Sequence, residues 1–247
     1  MAAQQGFLYE ENAAKLLKGM GFVPNSFKPA GAGSDQPDLM LLYLGQESGC
    51  ELKITAASAG SLVLKYTKAS SSSPWAFGII KETEDEKQFI ADLAKEVGLF
   101  DLIQKHWKEI PYKRDKDDLW IATAGKLSSQ QRYERDRDTF PDIRGEIPAL
   151  KIEQYYNKKK TYYVNVGTHG FYLLGTKNPF KLKGVLRFGT SAKATYRARV
   201  QYKGSGNYQF TFEMQFSMSR KSEFNIAPVD GKSVNIIKSK LNLSCFR

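Results

Sequence analysis

Cysteine and histidine are scarce in this chain. Its 247 residues contain two of each, Cys50 and Cys245, His106 and His169. Two separated cysteines argue against a disulfide framework and fit a reducing, cytoplasmic setting. Two Cys and two His so placed cannot form the usual structural zinc site, and they argue against catalysis built on histidines. Long apolar runs are missing too. The longest, residues 39–44, is far too short to cross a bilayer, so no membrane partner is expected. Met1-Ala2-Ala3-Gln4-Gln5 has no feature of a signal peptide, and no internal repeat or Gly-rich phosphate loop is visible. The length suits one large domain or two small ones, with enough chain to bury a stable core.

Charge of one sign is in excess. The formal net charge is +11 and the pI about 9.4. Residues 1–125 hold 14 Lys and Arg against 17 Asp and Glu, a net of −3, and the remainder holds 23 against 9, a net of +14. A strongly basic surface attracts phosphates through counterion release, without regard to sequence. The plainer explanation is a solvated basic surface, or one suited to acidic protein or anionic lipid. The motif below favours nucleic acid.

The most informative feature is Pro37-Asp38, followed thirteen residues after the Asp by Glu51-Leu52-Lys53. Asp38-Leu39-Met40-Leu41-Leu42-Tyr43-Leu44 reads as a strand, and Cys50-Glu51-Leu52-Lys53-Ile54 as its neighbour. Gly45-Gln46-Glu47-Ser48-Gly49 is a turn between them, which predicts a hairpin. Side chains alternate along a strand, so Glu51 and Lys53 share a face and Leu52 takes the other. With Asp38 on the same face, two carboxylates and an ammonium meet at one sheet edge. Two carboxylates can hold a Mg²⁺ that keeps waters and pairs with phosphate oxygens, while the lysine orients or helps deprotonate an attacking water. An ExK triplet is expected by chance roughly once in a chain this long, so the surroundings must add weight.

Residues 6–20 add some. Tyr9, Ala13, Leu16, Leu17 and Met20 fall at the spacing of one helical face. At roughly 100° per residue, Glu10 lies near the edge of that face and Glu11 on the opposite side. A carboxylate aimed toward a core is rare unless paired or bound to metal. Gly21 is placed to end the helix, and Phe22-Val23 to begin the first strand.

Gly6 four residues before Glu10, Gly21-Phe22, Gly31-Ala32-Gly33-Ser34-Asp35, Pro37-Asp38 and Glu51-Leu52-Lys53 together resemble the PD-(D/E)xK nuclease superfamily, and within it the archaeal-type Holliday junction resolvase branch. The resemblance covers about the first 55 residues, and the chain is longer than a minimal resolvase. It implies an α/β (α+β) restriction-endonuclease-like fold, a mixed central sheet flanked by helices. It also implies metal ligation by Asp38 and Glu51, a catalytic Lys53, and Glu10 as a further carboxylate near the metal. The cofactor expected is Mg²⁺, with Mn²⁺ able to substitute, and the partner is DNA. A homodimer is left open.

Beyond Lys53 the pattern stays mixed. Residues 61–66 and 76–80 read as strands, 87–102 as a helix, and 128–148 as a charged surface helix. From Lys151 onward the reading is a β-rich, basic half, with hairpins turning at 167–170 and 204–207. The expected organisation is a nuclease core over 1–125, a linker or surface helix over 126–150, and a DNA-binding region over 151–247, either separate from the core or packed with it as one domain. In the second hairpin Tyr196, Ala198, Val200, Tyr202, Tyr208, Phe210, Phe212, Met214 and Phe216 form a core face, while Arg197, Arg199 and Lys203 face outward. Those three, with Lys65, Lys68, Lys158, Lys159 and Lys160, are the candidate phosphate contacts. Tyr155 and Tyr156 beside the lysine run suit base stacking. Two functional classes emerge: a Mg²⁺-dependent DNA endonuclease (resolvase, restriction-type or exonuclease), and a non-catalytic nucleic-acid-binding protein with structural carboxylates.

Overall fold

A computed structural model describes residues 2–28, 36–55, 58–66, 75–77, 85–108, 129–203, 207–228 and 241–246. The chain divides into two compact units. Unit 1 comprises Met1–Ala57, Pro148–Ala194 and Phe216–Arg247, and unit 2 comprises Ser58–Ile147 and Thr195–Gln215. The linear boundaries expected at 125 and 150 therefore do not mark the units. Strand pairing is the reason: the motif strand takes its neighbour from more than a hundred residues downstream.

Unit 1 begins with helix α1 (Ala2–Gly19). Gly21 ends it with a φ of 78°, the left-handed conformation that favours glycine. Its N–H and that of Phe22 bond back to Lys18 and Leu17, closing the last turn. Phe22-Val23 does not form the strand expected there. Phe22 accepts one bond from the Leu42 N–H, and Pro24 has no N–H with which to extend a ladder.

The hairpin of β1 (Leu39–Tyr43) and β2 (Gln46–Lys53) is present, with a tighter turn than expected. Tyr43 pairs with Gln46, so only Leu44 and Gly45 form the loop. Their φ values of 48° and 75° match a two-residue hairpin turn of type I′, which needs positive φ at both positions. Leu44 adopts this unfavourable geometry while 83% exposed.

Residues 151–158, expected within the β-rich half, lie in helix α5 (Ala149–Lys158). Ile152, Tyr155 and Tyr156 are buried on it at helical spacing, and this periodicity prevails over the strand preference of those residue types. Strands β6 (Thr161–Val166), β7 (Gly170–Leu173) and β8 (Leu186–Arg187) follow. The sheet order is β1-β2-β6-β7-β8. β2 and β6 are parallel, and their flanking pairs antiparallel. This is a mixed sheet with helices, as the resemblance implies.

The core of unit 1 joins Tyr9, Ala13 and Leu17 of α1 to Leu39, Leu41, Cys50, Leu52, Tyr163 and Phe171 of the sheet. Each fully buried large side chain contributes on the order of 1.5–3 kcal/mol. Asn165, wholly buried, ties the closing segment to this core. Its amide donates to the Ala227 carbonyl and the Tyr9 hydroxyl, and its Oδ1 accepts from the Ile226 N–H.

Unit 2 is built on a sheet ordered β4-β3-β10-β9-β5. Its strands are β3 (Ser58–Tyr66), β4 (Trp75–Phe77), β5 (Ile143–Ile147), β9 (Ala192–Lys203) and β10 (Asn207–Met218). The expected helix at 87–102 is two, α2 (Asp85–Glu96) and α3 (Leu99–His106), parted at Gly98 with a φ of 65°. Helix α4 (Ser129–Thr139) is the expected charged helix, and β5 after it was not foreseen. Trp75, Trp107, Phe140 and Phe210 pack edge to face or tilted, with centroids 5.0–5.8 Å apart. Gly145 of β5 lies so close to the Tyr196 ring that a Cβ there would come within 2.5 Å.

Candidate active site

Leu39, Leu41, Cys50 and Leu52 point into the core of unit 1. By strand alternation Asp38, Glu51 and Lys53 therefore point the other way, and the structure brings all three together. Lys53 Nζ donates to Glu51 Oε1 and lies 3.4 Å from Asp38 Oδ2. The same Asp38 oxygen accepts the Leu52 N–H at 2.8 Å, which locks the aspartate to the motif strand.

Burial makes this cluster unusual. The Glu51 side chain is 6% exposed, and its second oxygen, Oε2, is buried without a hydrogen-bond partner. An ionised carboxylate has only acceptors, so that oxygen needs a donor or a cation. Burial pushes the Glu51 carboxyl up, against the pull of Lys53. Burial alone would lower the Lys53 ammonium, but Glu51 and Asp38 outweigh it and hold Lys53 well above the usual lysine range.

Glu10 borders the cluster, as the helical phase predicts, and Glu11 is exposed. A cleft of about 450 Å³ is lined by Gln5, Gly6, Tyr9, Glu10, Leu52, Lys53, Ile54 and Thr55. Burial and the negative charge of Asp38 push Glu10 up to about 7.

A second buried acid in unit 1 gives the contrast. Glu153 of α5 accepts the Gly189 N–H at 2.7 Å through one oxygen and Arg187 at 3.3 Å through the other. A structural carboxylate is closed by its partners in this way, whereas Glu51 is left half open. Among the described residues no group of three or more His, Cys, Asp or Glu is arranged to hold a metal ion. The pair Asp38 and Glu51, with the unpartnered Oε2, supplies the hard oxygen donors that suit a Mg²⁺-sized ion.

The candidate phosphate contacts separate. Lys158 and Lys160 are exposed at the end of α5. Lys159 is half-buried, lies 6.0 Å from the Tyr155 ring centroid and acts electrostatically on Glu51. Tyr155 and Tyr156 are buried, so neither is offered for stacking against a base. Arg197 and Arg199, partly buried in unit 2, are already engaged. Arg197 lies 2.6 Å from Asp142, and Arg199 lies 3.0 Å from the buried Glu213. Lys65 is half-buried in β3 of unit 2. Lys68, the loop at 31–35 and the side chain of Lys203 lie outside the described residues.

The basic excess also falls unevenly between the units. Unit 1 contains 19 Lys and Arg against 9 Asp and Glu, a net of +10, and unit 2 contains 18 against 17, a net of +1. The sequence suggested base stacking for Tyr156, whereas it is buried on α5, within electrostatic reach of Glu51, Lys53 and Asp38. The apolar spacing of α5 was the signal that could have placed it.

No family model and no curated protein matches the sequence. Among solved structures, the chain is similar to the HhaI endonuclease in complex with DNA, at 10% identity and a TM-score of 0.44, over 94% of this chain and 95% of that one. A likeness at that level carries no argument for fold or function.

Proposed function

We propose that the chain is a Mg²⁺-dependent DNA endonuclease that hydrolyses phosphodiester bonds. The observation that carries this reading is the convergence of Asp38, Glu51 and Lys53 on one face of the sheet, with Glu51 Oε2 left without a partner. Asp38 and Glu51 are the residues that would hold the ion. When bound, it would activate water and stabilise charge on the phosphate.

The chain's own groups divide the remaining work. Lys53, paired with both carboxylates, is the group that orients or helps deprotonate an attacking water and donates to the phosphate. Glu10, across the cleft from Lys53, has a carboxyl that changes charge near neutrality. It is the group suited to accept a proton from that water. The net charge of +10 on the same unit supports DNA as the partner. Lys158, Lys159 and Lys160 are preferred over Arg197 and Arg199 as phosphate contacts, because the two arginines already face carboxylates.

The assay is a panel of labelled duplex, single-stranded, flap and four-way junction DNAs with Mg²⁺, with Mn²⁺ and with EDTA. Cleavage with metal and none in EDTA is expected. Preference for the junction would favour the resolvase branch, and preference for a duplex sequence a restriction-type enzyme. Release of end nucleotides would point to an exonuclease. Binding without cleavage on every substrate would leave a non-catalytic DNA-binding protein.

A further inference from the structure

Glycine is among the weakest helix formers, so one inside a helix needs a physical reason. Elsewhere in the chain the reason is internal. Gly49, Gly145 and Gly189 each have a neighbouring atom within 3.0 Å of where a Cβ would stand, and Gly21 and Gly98 have positive φ. Gly6 and Gly19 of α1 have neither: among the described residues nothing lies within 4 Å of a Cβ at either position. Gly19 is exposed and is the last residue of the helix. Gly6 is well inside it, and it lines the cleft of about 450 Å³ together with Glu10 and Lys53. Residues four apart are neighbours on one helical face, so Gly6 and Glu10 stand one turn apart on the same cleft wall. At Gly6 that wall is bare helix backbone.

We propose that Gly6 is the seat at which the sugar–phosphate backbone of the cleaved DNA strand lies against α1. A glycine lets a ligand approach the helix backbone itself, closer than any side chain at that position allows. A strand seated there enters the cleft that Glu10 and Lys53 line. Asp38 lies 3.4 Å from Lys53, so a phosphate that reaches Lys53 also nears the carboxylate pair. The sugar–phosphate backbone carries no sequence, and the seat therefore admits strands of any sequence alike. The catalytic meaning of the seat rests on the nuclease reading, but the room at Gly6 does not.

The test uses the full chain and three variants, Gly6→Ala, Gly6→Leu and, as a control on the same helix, Gly19→Ala. A Cβ has room at both positions, so the two alanine variants should have a Tm at or above that of the parent. On the DNA that the parent cuts with Mg²⁺, Gly6→Ala should lower kcat/KM about tenfold and Gly6→Leu about a hundredfold, whereas Gly19→Ala should leave it unchanged. In EDTA, anisotropy on duplexes of unrelated sequence should show Gly6→Leu binding each of them more weakly by a similar factor. Mn²⁺ affinity, measured by calorimetry, should stay parental in both Gly6 variants. Parental cleavage and DNA affinity in Gly6→Leu overturn the proposal. So does a lower Tm in Gly6→Ala, which would mean that the protein itself fills the position. A loss of Mn²⁺ affinity would trace the effect to the metal site, and weakening confined to one sequence would trace it to base contacts; either overturns the seat. If the parent binds DNA without cutting it, the nuclease reading fails while the affinities in EDTA still decide the seat. A parent that binds no DNA overturns both. Should Gly6→Leu not fold, Gly6→Ala carries the same test alone.

Discussion

Both units are built on a five-stranded sheet, yet they treat charge in opposite ways. In unit 2 the acids answer the bases. Asp142 bridges Arg144 and Arg197, Glu213 faces Arg199, and the unit is close to neutral. In unit 1 the basic residues far outnumber the acids, and the most buried carboxylate of the motif keeps one oxygen unpartnered. Leaving a buried polar atom unpaired costs about 1–3 kcal/mol, a cost that unit 1 also avoids at Glu153. An ion pair that closes on itself serves stability, whereas one left half open near a cleft is what the proposed metal site requires. Each prediction below either breaks this contrast or sharpens it.

The largest effect is expected at the motif. Asp38→Ala or Glu51→Ala should lower Mg²⁺-dependent cleavage by several orders of magnitude and leave DNA binding in a filter or anisotropy assay largely intact. Equal activity of the Asp38→Ala protein and its parent would remove unit 1 from the chemistry. Next comes the pair of adjacent glutamates. Glu10→Gln should cut the rate strongly and Glu11→Gln hardly at all, as measured in single-turnover cleavage. The opposite ranking would mean that Glu11 faces the site.

The legibility of the sequence followed range of interaction. Alternation around Leu52 and helical phase around Glu10 are local, so the hairpin, the shared face of Asp38, Glu51 and Lys53, and the edge position of Glu10 could be read directly. What decides α5 and the units is not local. Tyr155 and Tyr156 resemble strand residues until their spacing to Ile152 is counted. Nothing in the composition announces that β2 pairs with β6 across the whole of unit 2's first segment. The basic face of Arg197 and Arg199 was read correctly as a face. Its acidic counterparts, Asp142 and Glu213, come from another strand edge and the facing strand, so their pairing appears only in three dimensions.

That pairing gives a moderate, opposing pair of effects. Neutralising Lys158 and Lys159 together should weaken binding to unrelated DNA sequences about equally. It should also flatten the log–log salt dependence by up to about one unit per lost phosphate contact. Arg199→Gln should instead lower the Tm, because it leaves the buried Glu213 short of its cation, and should leave the salt slope unchanged. The reverse result would move the DNA-holding surface to unit 2.

A smaller effect concerns pH. The Glu10 carboxyl is raised from 4.5 to about 7 in the folded protein, chiefly by burial. Between those values the folded state binds more protons than the unfolded one, so stability falls as pH rises and levels off above about 7. In EDTA, Glu10→Gln should lose this slope and be more stable than its parent at pH 8 in urea melts. A parent whose stability rises over that interval would contradict the buried placement of Glu10.

The central claim is that the open carboxylate of unit 1 makes a metal-dependent cutting site, and the cleavage rate of labelled DNA by the parent and by Glu51→Gln, with Mg²⁺ and with EDTA, tests it most directly. The parent should cut only with metal, and Glu51→Gln should bind the same DNA without cutting it. Cleavage by Glu51→Gln at the parental rate, or parental cleavage undiminished in EDTA, would contradict the account.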